Sequence, residues 1–216
     1  MAIVLISDAV PVAVFAKAPL PGYAKTRLIP HLGAEGAAAL QERLIARAVA
    51  TALSAEIGPV TLWCAPDVEH PCFREAARCS PIALAAQPDG DLGARMLAAF
   101  QAAAGPLVLI GTDCPVLSQA DLREAAAALR NGSDVVMAPA EDGGYGLIAA
   151  CRPFPCLFED MPWSTERVAA LTSERARRAG LRLTLLRNVW DVDTPLDLDR
   201  LFQSGLSNVA GGGSWP

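Results

Sequence analysis

The sequence predicts an α/β protein of three layers, α/β/α, around a mostly parallel central sheet. Three observations predict it. Short apolar runs of strand length recur along the chain, segments with a helical period lie between them, and 52% of the 216 residues are hydrophobic, enough for one large core.

In chain order, the first strand is expected over 11–16 (PVAVFA). A long helix follows, because Leu40, Leu44, Ala48 and Ala52 form an i, i+4 stripe with Leu53 and Ile57 beside it. Strands are then expected at 59–65 (PVTLWCA) and 81–86, and a shorter helix carries Leu92, Met96, Leu97 and Phe100. The runs 106–111 (PLVLIG), 133–138 (SDVVMA), 145–150 (YGLIAA) and 182–187 (RLTLLR) complete the strand set. Because 133–138 and 145–150 lie too close for an intervening helix, one antiparallel pair is expected. No repeat or linker divides the chain, so a single domain is expected over 1–205, with 206–216 a glycine-rich, flexible tail.

A net charge of -5 argues against wrapping nucleic acid, which needs many cations on one face. Any anion must be met locally. No run approaches the ~20 apolar residues of a membrane span, and the start MAIVLISDAV lacks the basic region of a signal peptide and is interrupted by Asp8. The six cysteines form no C-x-x-C pair and only His31 and His70 could join them, so a zinc site is not expected, a His70/Cys72/Cys79 cluster being the one alternative. Reduced thiols and a cytoplasmic location follow as expectations.

In open α/β sheets ligands bind beyond the carboxyl ends of the strands. Four motifs sit there. VFAKAPLPGYAKTRL, 14–28, brackets a Pro/Gly turn with Lys17, Lys25 and Arg27. Lys25-Thr26 matches the end of a P-loop, but Pro19 and Ala24 replace its glycines, so side-chain cations rather than a nest of N–H groups would meet phosphate. GTDCP, 111–115, puts Asp113 directly after a buried strand, where a divalent cation is a natural partner and a turn role the alternative. In WDVDTPLDLDRL, 190–201, Thr194, Pro195 and Asp197 spell a helix start, which leaves Asp191 and Asp193 to be explained; Asp193, nearest the helix, is the expected second metal ligand. PAEDGGYG, 139–146, places Glu141 and Asp142 on a glycine loop that either approaches a ligand or merely turns between strands. Beside these, Asp91 in GDLGARM and Ser164 or Thr165 in PWSTERV have the form of helix caps, and Trp163 is either core or a wall against an acceptor.

Together, FAKAPLPGYAKTRL, GDLGARM, GTDCP, EDGGYG, PWST and DVDTPLDL resemble the nucleotide-diphospho-sugar transferase superfamily, with its Rossmann-like glycosyltransferase-A fold. The resemblance runs from about residue 11 to 202 and points to the branch labelled rSAM/selenodomain-associated transferase. The ending DTPLDL is similar to that of sugar-acid cytidylyltransferases and phospholactate guanylyltransferases. The resemblance implies a Mg²⁺-dependent (or Mn²⁺-dependent) enzyme, with metal on Asp113 and Asp193 and phosphate on Lys25 and Arg27. Two departures stand out: the Gly-rich loop of well-studied nucleotidyltransferases is replaced by APLPGYA, and the D-x-D of many glycosyltransferases is Thr112-Asp113-Cys114.

The expected reaction is nucleotidyl transfer from a nucleoside triphosphate to a small phosphorylated or acidic acceptor. Lys25, Asp113 and Asp193 would be catalytic, with Lys17, Arg27, Gly90, Asp91 and Arg95 around the nucleotide and Glu141, Asp142, Tyr145 and Trp163 around the acceptor. Transfer from a nucleotide sugar is the alternative, and a non-catalytic nucleotide-binding module a second one. A homodimer is an open expectation for its assembly.

Overall fold

A computed structural model describes residues 9–206. Its strands are β1 (Val12–Lys17), β2 (Val60–Ala65), β3 (Ile82–Ala86), β4 (Leu107–Gly111), β5 (Val135–Pro139), β6 (Tyr145–Ala150) and β7 (Leu183–Leu185). The helices are α1 (Ile29–Ala55), α2 (Pro71–Cys79), α3 (Leu92–Ala103), α4 (Gln119–Arg130), α5 (Val168–Arg178) and α6 (Pro195–Gln203). Every expected strand is present within a residue or two of its expected bounds. The expected tail lies, apart from Leu206, outside the described residues, as does the apolar start at 1–8.

The strands form one sheet in the order β3-β2-β1-β4-β6-β5-β7. β5 and β6 pair antiparallel as expected, and β6 also runs antiparallel to β4. A single reversed strand thus sits inside an otherwise parallel sheet. The loops after β1, β2, β3, β4, β5 and β7, together with the first residue of β6, therefore share one rim.

Period-two alternation sorts each strand's side chains between two faces. Val12, Val14 and Ala16 face a core shared with Ile45, Ala48, Val49 and Ala52 of α1 and with Leu122, Ala125 and Leu129 of α4. Ala13 and Phe15 face the other way, onto Met96, Ala99 and Phe100 of α3 and Ala176 of α5. The stripe expected on α1 is buried throughout, and α1 extends further toward the N-terminus than the stripe indicated, across a break at Gly33 (φ 68°, ψ 168°). On α3, Met96 and Phe100 are buried as expected, but Leu92, the first residue of the helix, is 45% exposed.

A third apolar cluster ties two segments of the rim together. Leu28, Leu40 and Leu44 pack against Trp190, Val192, Leu198 and Leu201. Burying these seven side chains, at about 1.5–3 kcal/mol each, fastens the loop after β1 to the segment between β7 and α6.

Candidate active site

The site grows from the ends of three elements. Beyond β1 the chain turns through 18–24, and Lys25 takes a left-handed conformation (φ 48°, ψ 45°) that directs its side chain inward. At the end of β4, the buried Thr112 leads into Asp113. Before α6, the Val192 N–H donates to the Asp113 carbonyl at 2.9 Å, which lays 192–193 beside the β4 end. Asp193 is then fixed by the start of α6. Thr194 caps that helix in a capping box, and one Asp197 carboxylate oxygen accepts from the N–H groups of Asp193 and Thr194 at 3.2 and 2.7 Å.

These constraints bring Asp113 and Asp193 together on one point. The Lys25 Nζ lies 2.5 Å from Asp113 Oδ1, 3.0 Å from Asp193 Oδ1 and 2.8 Å from the Val192 carbonyl oxygen. Its side chain is only 5% exposed, whereas Asp113 and Asp193 are 50% and 38% exposed. Burial alone would pull the ammonium's pKa down, but the two carboxylates outweigh it and hold it above its ordinary value. The loop lysine expected to reach toward solvent phosphate is instead turned onto the two acids. Arg27 stays 75% exposed at the mouth, with one Asp193 oxygen 3.9 Å away, and Lys17 ends β1 exposed on the same rim.

Negative charge exceeds positive here. Asp191 is half-buried, and its carboxyl is pushed up to about 6, first by burial and then by Asp142, Asp193 and Asp113. Cys114, packed under the same loops, has its thiol raised well above the ordinary range by burial and by Asp191 and Asp113, so it stays a neutral filler. Among the described residues, no group of three or more His, Cys, Asp or Glu side chains is arranged to hold a metal ion. The carboxylates that converge are a pair.

The other expected site residues divide into two groups. Gly90, Asp91 and Arg95 form one unit at the start of α3: Asp91 caps the helix by accepting from the Ala94 N–H at 2.8 Å, and Arg95 Nε donates to the Gly90 carbonyl at 3.0 Å. Tyr145 and Trp163 belong beside them, although the sequence suggested an acceptor role apart from the nucleotide. The Tyr145 hydroxyl contacts Met96 Sδ at 3.9 Å, and burial pushes its phenol pKa up. Trp163 lies against Gly93, where any Cβ would come within 2.8 Å of its ring, and its buried indole Nε1 has no hydrogen-bond partner among the described residues. Glu141 and Asp142 lie on the far side, in the loop after β5. Glu141 makes a two-pronged ion pair with Arg200 of α6 at 2.7 and 3.0 Å, while exposed Asp142 closes a turn on the Gly144 N–H at 2.8 Å. That loop passes so close to the backbone before α5 that only glycine fits at 143: φ is +87° and a Cβ would fall 2.0 Å from the Glu166 carbonyl.

Ser164 and Thr165 do not cap α5. The Thr165 hydroxyl donates back to the Pro162 carbonyl, and α5 begins after Arg167 with no side-chain cap.

Sequence reasoning missed two supports. Gln41, buried on α1, donates to Thr112 Oγ1 at 3.2 Å and to the Lys17 carbonyl at 3.3 Å, tying the ends of β4 and β1 together. Of the three polar residues in the stretch AAALQERLIA, Gln41 is the one beside Leu40 and three before Leu44, on the apolar face, and that placement was the available signal. Arg47, also on α1, donates to the Pro115 carbonyl at 2.5 Å, so the loop carrying Asp113 is held on both sides.

Comparison with known proteins gives the family and the fold. Residues 48–165 match the family described as uncharacterized proteins conserved in bacteria (DUF2064), a stretch that includes Asp113. No curated protein matches the sequence. A provisionally named nucleotide-diphospho-sugar transferase from Desulfovibrio desulfuricans G20 is 31% identical and superposes with a TM-score of 0.82, over 92% of this chain and 88% of that one. More distant structures share the fold. A nucleotidyl transferase from Methanothermobacter thermautotroptrophicus is 20% identical with a TM-score of 0.60, covering 91% of this chain and 98% of its own. The inositol-1-phosphate CTP transferase from T. maritima is 10% identical with a TM-score of 0.61, covering 96% and 99%. By the DUF2064 match, which spans more than half of it, and by its likeness to the D. desulfuricans protein, the chain belongs to the DUF2064 family and is built on the nucleotide-diphospho-sugar transferase fold.

Proposed function

We propose that this transferase catalyses nucleotidyl transfer: an oxygen of a small phosphorylated or acidic acceptor attacks the α-phosphorus of a nucleoside triphosphate, and pyrophosphate leaves. The observation that carries the reading is the convergence of Asp113 and Asp193 on one point at the strand rim, with Asp191 and Asp142 adding uncompensated negative charge. Phosphoryl chemistry asks a protein mainly for alignment and charge neutralisation.

The donor set fits Mg²⁺ or Mn²⁺. Both carboxylates and the Val192 carbonyl are hard oxygen donors, and Mg²⁺ commonly takes one or two carboxylates and completes its shell with water and substrate phosphates. Asp113 and Asp193 would hold the ion. Bound there, it would supply neutralisation of the triphosphate and of the charge growing on the leaving pyrophosphate.

The chain's own groups do the rest. Arg27, exposed and only loosely engaged, offers a planar fork to the phosphate tail. Lys17 adds a point charge on the same rim. The unit of Gly90, Asp91 and Arg95 would border the nucleoside, and Tyr145 and Trp163 form the wall between it and the acceptor. Asp113 and Asp193 need not move a proton, because a phosphate or carboxylate acceptor is already ionised at neutral pH. The six cysteines are free and suit a reducing cytoplasm, where we place the enzyme. Among the described residues, no helix is long and apolar enough to cross a membrane.

The 31% identical relative, named for nucleotide-diphospho-sugar substrates, favours a second reading in which an acceptor hydroxyl attacks a nucleotide-linked sugar. The released product separates the two. Incubation with Mg²⁺, each nucleoside triphosphate and a panel of phosphorylated and acidic acceptors is expected to release pyrophosphate. Nucleoside diphosphate release from nucleotide sugars, with no pyrophosphate from triphosphates, would establish the second reading instead.

A further inference from the structure

Lys25 stands where the two carboxylates meet. Its ammonium has three N–H groups and three acceptors, from Asp113, Asp193 and the Val192 carbonyl, so its hydrogen-bonding capacity is filled. The residue reaches this position in a left-handed conformation (φ 48°, ψ 45°) that L side chains adopt at a cost of about 1–2 kcal/mol. A contact held against such a cost, with the side chain 5% exposed, is a built feature of the site.

The same geometry makes it exclusive. A divalent ion held by Asp113 and Asp193 would compete with the ammonium for the same carboxylate oxygens, which lie 2.5 and 3.0 Å from the nitrogen, and two cations drawn to one pair of oxygens repel each other. The ammonium and the ion cannot share the point. Once displaced, the lysine would be left as an unpaired cation near a protein surface, unless another anion takes it up.

We propose that Lys25 is an internal counter-cation that competes with the divalent ion for Asp113 and Asp193, and that a bound phosphate tail takes the lysine over when the ion enters. The inference rests on the metal site of the preceding reading. Metal and phosphate then bind together far better than either binds alone, a coupling that typically amounts to 5–150-fold. In the free protein the lysine keeps the two acids together and keeps the ion out.

The test uses the full chain without acceptor, so no turnover is involved, and reads Mn²⁺ affinity from the electron paramagnetic resonance signal of the free ion. Lys25→Met is expected to bind Mn²⁺ at least about tenfold more tightly than wild type, within the usual coupling range. Lys25→Arg should retain the weak wild-type affinity, and adding Asp113→Asn to Lys25→Met should abolish the gain. Equal or weaker binding by Lys25→Met overturns the exchange while leaving the metal site standing. Absence of Mn²⁺ binding by both wild type and Lys25→Met overturns the exchange and the metal reading together. Should Lys25→Met fail to fold, acylation of wild-type Lys25, followed by peptide mass spectrometry, gives the answer: saturating Mn²⁺ with inorganic triphosphate should change its labelling rate severalfold, and an unchanged rate overturns the proposal. Pyrophosphate release is scored separately, so a chain with Mn²⁺ exchange but no nucleotidyl transfer would lose the reaction assigned above and keep this inference.

Discussion

Asp121 and Asp113 lie on the two ends of one connection, from the close of β4 to the first turn of α4, and their surroundings could hardly differ more. Asp121 is matched. It completes a capping box with Ser118, and Arg187, from beyond β7, grips both of its oxygens at 2.7 Å while also donating to the Val116 carbonyl. Burial would raise this carboxyl, but the hydrogen bonds from Arg187 and Ser118 outweigh it and hold the pKa below the ordinary value. Asp113 shares one lysine with Asp193, and Asp191 beside them is pushed the other way, to about 6. A fold that can supply an arginine clamp at one end of a loop leaves the other end short of positive charge. On the function proposed above, Asp121 is neutralised internally, whereas Asp113 and Asp193 are left for a ligand to neutralise.

The comparison can be broken most severely at Asp113. Asp113→Asn and Asp193→Asn should each lower kcat/KM for pyrophosphate release by about 10²–10³-fold, the scale of losing one electrostatic contact to a transition state, with circular dichroism unchanged. Retention of the wild-type rate and Mg²⁺ requirement would remove the residue from the site. At the matched end the expected effect is on stability alone. Arg187→Ala strands the nearly buried Asp121 with only Ser118 for support and should cost about 2 kcal/mol in urea unfolding, less than a fully buried pair because Arg187 is itself half exposed. Its effect on catalysis should be small.

Asp191 sharpens the contrast through pH. Its folded-state pKa of about 6 lies above its unfolded value, so the folded protein holds that proton more tightly and its stability falls as pH rises toward 6. In metal-free buffer at pH 8, Asp191→Asn should therefore stabilise the protein by about 1 kcal/mol, after discounting for solvent screening, and by nothing below about pH 4. Asp121 has the opposite sign: its depressed pKa contributes stability above the ordinary carboxylate range that is lost as pH falls through the folded-state value, so Asp121→Asn should flatten acid unfolding between wild type and variant. The smallest effect is expected at the exposed pair of Glu141 and Arg200, where Glu141→Gln should leave the melting temperature unchanged and alter turnover only if the loop after β5 must hold its place.

Much of the site was legible because local rules wrote it. Thr194, Pro195 and Asp197 spelled the capping box that fixes the backbone of Asp193, and Asp113 at the close of a buried strand marked itself. Asp91 fitted a helix cap and is one. The orientation of Lys25 was not legible, since a cation in a Pro/Gly turn reads equally well as facing solvent. Nor was the clustering of Tyr145 and Trp163 with the start of α3, which depends on Trp163 packing over Gly93 far away in sequence.

The sequence by itself determined the periodicities, and through them the strands, the main helices, the rim on which ligand binding is proposed and the two aspartates worth watching. Only the tertiary structure decided which cation meets which acid. Charge pairing across separations such as that between Lys25 and Asp193 is set by the apolar cluster of Leu28, Leu44, Trp190 and Val192, whose packing brings the two segments together. Hydrophobic burial, which is indifferent to direction, places the backbones; electrostatics, which weakens with distance and strengthens with burial, then acts on wherever they have been put.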